Sequence, residues 1–145
     1  MDPFSSEVEL TDLRDHFAAG RWQEVVDYDT AHLAPENKLP ARILALRAKL
    51  TLGDAQEVLA AVQADQQVPE IQAVKVAAEY ATGSTNAALQ GAESLAASHA
   101  DNATVQVLAA TVLQNEGKTE EALVLLSQHQ GNCKHEVYLG QVEQN

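Results

Sequence analysis

Apolar residues recur along this chain every three to four positions, and the recurrence restarts at nearly even intervals marked by glycine. Gly20, Gly53, Gly83 and Gly117 lie 33, 30 and 34 residues apart. Seven and three positions before them stand Leu13 and Phe17, Leu46 and Leu50, Val76 and Tyr80, and then Ala110 and Gln114, where the fourth unit departs. Five and six positions after them stand Val25 and Val26, Val58 and Leu59, Ala88 and Leu89, and Ala122 and Leu123. A helical period on both sides of an isolated glycine describes two helices joined by a tight turn. Its repetition at this interval is the signature of a helical array. Even the β-branched segment 104–112 keeps a helical spacing, so no strand is predicted.

The spacing predicts helices over about 7–19, 22–33, 38–52, 54–64, 70–82, 86–98, 103–115 and 119–129, with a ninth piece at 135–143. Each glycine falls where the first helix of a pair needs a left-handed residue just past its end. Asp54 and Thr119 are placed to cap second helices, and Glu24, Glu57 and Glu121 fall in their positive first turns. Breaks at Pro35-Glu36, Pro69-Glu70 and Asp101-Asn102 separate the pairs. The predicted fold is an all-α solenoid of about four helix pairs. It forms one helical-repeat domain over 1–145, with units near 7–34, 35–68, 69–101 and 102–131 and a tail at 132–145. A pair cannot bury its apolar face alone, so neighbouring pairs must stack. The small residues Val25, Val58, Ala88 and Ala122 would let paired helices approach closely.

The first helices carry more apolar residues than one packed face requires. In helix 70–82, Gln72, Lys75 and Glu79 form a narrow polar stripe. Ile71, Val74 and Ala78 lie away from it, in addition to Ala73, Val76 and Tyr80. Helix 103–115 repeats the arrangement with Val105, Leu108 and Val112, and helix 38–52 offers Ala41, Leu44 and Ala48. A surface helix ordinarily has one apolar and one solvated face. Either a partner covers the inner wall, or that wall is small and packs against the adjacent helix. On the first reading the partner-binding residues are Leu44, Ala48, Ile71, Val74, Ala78, Leu108 and Val112.

Composition narrows the function further. The chain has 145 residues, 46% hydrophobic but only 4% aromatic, so its core is built from Ala, Leu and Val. Nine Lys and Arg against 21 Asp and Glu give a net charge of −12, which repels nucleic acid and anionic lipid. The longest apolar runs, 58–62 and 122–126, are far too short to span a bilayer. The acidic N-terminus is unlike a signal peptide. The single cysteine, Cys133, cannot form an internal disulfide and favours a reducing compartment. His16, His32, His99, His129 and His135 have no metal-ligand spacing, and the isolated glycines form no phosphate loop. Cys133 lacks a fixed base, and Glu120-Glu121 compensates a helix dipole. No catalytic residue, metal or cofactor is expected. Lys38, Arg42 and Lys49 share a helix face, either as a local anion patch or as solvated surface paired with the acidic helix before it.

These units resemble tetratricopeptide repeats, with the early tryptophan position filled by Leu10, Ile43, Ala73 and Val107. More specifically, residues 9–24 (ELTDLRDHFAAGRWQE), residues 69–80 (PEIQAVKVAAEY), Leu108-Ala109-Ala110 and Glu121-Ala122-Leu123 together resemble the N-terminal part of the coatomer epsilon subunit family. The resemblance covers about residues 7–130. It implies a non-enzymatic subunit of the COPI coat, which carries cargo between Golgi and endoplasmic reticulum. Such a subunit binds the C-terminal region of the coatomer alpha subunit, curls around an extended element of it and stabilises it. Other coatomer subunits are implied as partners, and contact with Golgi membranes and COPI vesicles is indirect, through the coat, from a cytoplasmic location. The family continues through further repeats, and this chain's segment from Cys133 to Asn145 does not follow the family's next helix. An uncapped end would favour self-association. The alternative is another tetratricopeptide adaptor, such as a chaperone-binding scaffold gripping an acidic peptide terminus. That needs convergent cations beyond the Lys38–Lys49 patch. On the groove reading, Val74→Asp is expected to abolish partner binding, measured by co-elution, while helicity by circular dichroism stays intact.

Overall fold

Four glycines with φ between 78° and 94° set the architecture: Gly20, Gly53, Gly83 and Gly117. The computed structural model describes residues 8–65 and 67–128, and among them every regular element is a helix. In chain order these are α1 (Thr11–Ala18), α2 (Trp22–Asp27), α3 (Pro35–Thr51), α4 (Ala55–Val62) with a 3-10 turn at Gln63–Asp65, α5 (Pro69–Ala81), α6 (Thr85–Ser98), α7 (Ala103–Asn115) and α8 (Thr119–Ser127). The fold class is the expected all-α helical repeat. The ninth predicted helix and the tail lie outside the described residues.

Each glycine closes the first helix of a pair in the same way. The Gly20 N–H donates to Phe17 O and the Arg21 N–H to His16 O. The same two bonds link Gly53 to Leu50 and Asp54 to Lys49, Gly83 to Tyr80 and Ser84 to Glu79, and Gly117 to Gln114 and Lys118 to Leu113. These are Schellman motifs, which satisfy carbonyls that the helix end would otherwise leave open. The residue after each glycine already accepts the first hydrogen bond of the second helix. The carbonyls of Arg21, Asp54, Ser84 and Lys118 receive the N–H groups of Val25, Val58, Ala88 and Ala122. Those four residues are buried at 1%, 0%, 0% and 3% exposure, at the contact between paired helices where the repeat pattern puts small side chains.

The helices gather in two compact units, Met1–Ala61 and Val62–Asn145. In the first, α1, α2 and α3 pack mutually around Leu10, Leu13, Val25, Leu33, Ala41 and Ala48. The Phe17 ring meets Trp22 edge-on at 5.1 Å, and the Arg47 guanidinium lies 4.9 Å over the Phe17 ring. In the second, α5 packs on α6 and α7, α6 on α7, and α7 on α8. Its core joins Ala73, Val76, Ala88, Ala92, Leu95, Val105, Ala109, Val112, Leu113, Ala122 and Leu125. There the Tyr80 hydroxyl donates to a Glu116 carboxylate oxygen at 2.9 Å, which holds the phenol above its ordinary pKa.

Several boundaries differ from the periodicity, each for a local reason. α2 ends at Asp27, not near residue 33, because Tyr28 turns extended (ψ 131°) and the Asp29 side chain accepts the Ala31 N–H. The released segment drops Leu33 into the core at 4% exposure. α3 begins at Pro35, not Lys38, since proline is preorganised for a first helical position. Thr119 is itself the first residue of α8 and caps nothing, for Lys118 precedes it without a side-chain cap bond. Asn102 does cap a helix, accepting the Val105 N–H at 3.1 Å. Buried Gln106 donates from Nε2 to Ala100 O, tying the preceding loop to α7.

One carboxylate links the beginning of the first unit to the start of α3. Glu9 Oε1 accepts from the Ala34 N–H at 3.0 Å and from Asn37 Nδ2 at 2.7 Å. It thereby caps a helix that begins 26 residues later, since Ala34 has no capping side chain of its own. The bond from the Ala34 backbone, then that from Asn37, hold its carboxyl below the usual glutamate pKa. A depressed pKa contributes stability that is complete above the unfolded value and is lost as pH falls through the folded one. Glu9→Gln is therefore expected to lower the melting temperature at neutral pH, with the gap to the parent closing on acidification below the ordinary glutamate range. Parallel melting curves from pH 7 to pH 3 would show the carboxylate to be irrelevant.

Two glycine substitutions separate backbone conformation from packing. At Gly83 (φ 94°) an added Cβ meets nothing within 4 Å, so Gly83→Ala isolates the left-handed penalty, about 1–2 kcal/mol. At Gly91, inside α6, the Cβ would lie 2.7 Å from Val76 Cγ2 of α5. Overpacking of about 1–3 kcal/mol outweighs the roughly 1 kcal/mol that alanine adds to a helix. Gly91→Ala should lower stability in urea denaturation, and Val76→Ala should relieve that penalty but not the one at Gly83.

Candidate partner-binding surface

The apolar second stripe of the first helices is packing surface in this structure. Leu44 and Ala48 of α3 belong to the first unit's core, Ala48 fully buried and Leu44 half-buried against it. Val112 of α7 is a buried member of the second unit's core, with Leu108 half-buried against that cluster. Ile71, Val74 and Ala78 of α5 are buried at 1%, 0% and 0%. Five of the seven, Ala48, Ile71, Val74, Ala78 and Val112, are thus buried within their own units. Leu44 and Leu108 alone among them keep part of their surface exposed. The reason is the array itself: α7 contacts α5 and α6 of the preceding pair as well as its own partner α8, so it needs apolar residues on two sides.

Open apolar surface lies instead on second helices. Between the end of α6 and α8 runs a groove of about 440 Å³, floored by Ala96, Ala97, Ala100 and Leu125 and edged by Val124, Glu120 and Glu121. Leu123 and Val124 are 53% and 60% exposed. Sequence reasoning attended to first helices and passed over this place. The available signal was the run of 122–126, five apolar residues in a row on a helix that can bury only one face. A second groove, about 400 Å³ between α5 and α6, is edged by Gln72, Lys75, Glu79 and Gln90. Val76 and Gly91, which touch where the two helices cross, also line it.

The cationic patch on α3 is committed locally. The Arg42 guanidinium donates to Ala61 O at 3.0 Å, and Lys49 Nζ lies 2.8 Å from Glu57 Oε1 of α4. The partner of Lys49 is thus on the helix that follows, not on the acidic helix before it. Of the three, Lys38 is exposed, and Arg42 and Lys49 are half-buried. His16 Nδ1 lies 2.9 Å from both Arg21 Nε and Glu24 Oε2, a cluster that joins the end of α1 to α2. No group of His, Cys, Asp and Glu among the described residues could hold a metal ion. No helix among them is long and apolar enough to cross a membrane. Cys133, His129 and His135 lie outside the described residues.

Burial changes the outcome expected for Val74→Asp. An uncompensated carboxylate at a fully buried position costs several kcal/mol, so the variant should lose cooperative unfolding rather than only partner affinity. Thermal denaturation by circular dichroism measures this directly.

No curated protein and no solved structure gives a significant match to the chain. The coatomer epsilon subunit family does match, over residues 6–136, a span that takes in every helix from α1 to α8. With the paired-helix repeat and its four glycine turns in place, the chain belongs to the coatomer epsilon subunit family, a family of structural subunits of the COPI vesicle coat.

Proposed function

We propose that this chain serves in the COPI coat by binding the C-terminal region of the coatomer alpha subunit, which it stabilises for transport between Golgi and endoplasmic reticulum. The observation that carries the reading is the family match over residues 6–136, coextensive with the helical repeats. The work is done by surface complementarity and requires no reacting group. Alpha-subunit contact falls on the first helices α3, α5 and α7. Leu44 and Leu108 supply partly exposed apolar surface, and the buried Ala48, Ile71, Val74, Ala78 and Val112 hold those helices in register. Other coatomer subunits complete the assembly. Its place is the cytoplasmic side of Golgi membranes and COPI vesicles. A net charge of −12 opposes direct binding to anionic lipid, so membrane contact runs through the coat.

The test is to mix the chain with the C-terminal region of a coatomer alpha subunit and measure mass by size-exclusion chromatography with light scattering. A one-to-one complex is expected. Leu44→Glu should weaken it at least tenfold, about 1.4 kcal/mol, with helicity retained. Two unmixed peaks would overturn the assignment of the partner.

A further inference from the structure

Two second helices, α6 and α8, both pack on α7, and the groove of about 440 Å³ lies between them. Stacking of the pairs does not require its rim to be apolar. Val124 stands seven positions after Gly117, and Asp27, Ala60 and Gln90 stand seven positions after the other three glycines. All four are exposed, so this position faces away from the core in every pair. A carboxylate, a methyl group and an amide occupy it elsewhere. Only the fourth pair places a branched apolar side chain there, 60% exposed at the edge of the groove. Beside it lie Ala96, Ala97 and Ala100, whose short side chains leave room for larger ones brought from outside. The volume falls within the about 300–1,000 Å³ of binding clefts.

The rim is acidic. Glu120 and Glu121 are the charged groups that line the groove, and its lining residues include no cation. Glu120 forms no ion pair among the described residues, and Glu121 reaches Lys118 only at 4.0 Å, an exposed contact of little energy. Their two full charges exceed the half charge of the α8 N-terminus. Ala96 and Ala97 belong to the final turn of α6, so the negative end of that helix lies at the same place. Across residues 84–128 the sequence has five carboxylates, Glu93, Asp101, Glu116, Glu120 and Glu121, and one lysine, Lys118. A segment that fills this groove with apolar side chains is therefore best matched by cations at its edges. A second copy of this chain would bring the same carboxylates and its own net charge of −12, which opposes self-pairing here.

We propose that the α6–α8 groove is a second docking surface, distinct from the first-helix contact with the alpha subunit, and that it takes a basic amphipathic helix of another protein. Leucine-sized side chains at i and i+4 of that helix enter over Ala97 and Ala100, against Val124 and Leu125. Its Lys or Arg residues meet Glu120 and Glu121. This is recognition of a helix in a groove, in which apolar anchors supply affinity and charge supplies orientation.

The probe is a synthetic helical peptide with Leu at i, i+4 and i+7 and Lys between them, titrated with the full chain by fluorescence anisotropy. Its two controls carry Glu for each Lys or Ser for each Leu. The basic apolar peptide should bind, and each control should bind roughly tenfold more weakly or worse. Val124→Asn should weaken the complex several-fold with helicity retained by circular dichroism. Gln90→Ala, at the same position one pair earlier, should change nothing. The double variant Glu120→Gln, Glu121→Gln should weaken binding and flatten its salt dependence between about 0.05 M and 0.5 M. No binding of the basic peptide, as when another part of this chain covers the groove, or equal binding of the Lys and Glu peptides, would overturn the proposal. So would a dimer mass by light scattering that Val124→Asn returns to a monomer, because the groove would then belong to a second copy. Loss of alpha-subunit binding in Val124→Asn would overturn it too, by making the groove part of that contact. An alpha subunit that does not bind the parent chain sinks the earlier partner assignment and leaves the peptide result standing.

Discussion

The turn that joins the two helices of each pair is the constraint from which the rest of the structure follows. A first helix can end in two residues only if the residue past its end adopts positive φ, where a side chain costs energy and glycine does not. Gly20, Gly53, Gly83 and Gly117 all take that conformation, and each is followed at once by the capping position of the second helix. The second helix consequently starts at a set distance and phase. That phase delivers Val25, Val58, Ala88 and Ala122 to the pair contact, all nearly inaccessible to water. A longer or looser connection would leave the phase undetermined, and the small residues would have no fixed partner to meet.

Close approach between helices then governs which side chains are affordable. Gly91 sits where α6 passes α5 so tightly that even a methyl group would collide with Val76. With so few aromatic residues, the core fills with Ala, Val and Leu, and helix axes must come near one another for such short side chains to interlock. Among the described residues the buried polar side chains are Asn37 and Gln106, and with the partly exposed Glu9 they brace connections. Glu9 and Asn37 fasten the entry to α3, and Gln106 fastens the entry to α7. A polar group so placed is costly to leave unpaired and therefore selects one arrangement of the loop it holds.

A protein built this way offers helical surfaces, and the coatomer epsilon subunit family to which it belongs is a family of structural coat subunits. Its charged side chains pair with neighbours along or between helices, as Lys49 does with Glu57 and Arg21 with Glu24. Exposed pairs of this kind contribute little stability. They keep the outer surface strongly hydrated. What remains for recognition is partly exposed apolar surface on helices whose positions the core has already set. That is the kind of binding a coat subunit requires.

The amino-acid sequence alone determined the described helices, their pairing and the four glycine turns within the pairs, because those depend on interactions within about five residues. Helical period, isolated glycines and prolines before helices each act locally, and the contact residues after each glycine came out buried. The family resemblance was legible for the same reason, being carried by repeated local order. The sequence could not decide which of two apolar stripes is surface, since period records only that a residue avoids water. Ile71, Val74 and Ala78 read equally well as groove and as core, and only packing made them core. It was likewise silent on Glu9, whose partners lie 25 and 28 residues away, and on the α6–α8 groove, which exists only when two non-adjacent helices meet. Local conformational preference is written residue by residue; which surfaces cover one another is settled by the whole folded arrangement.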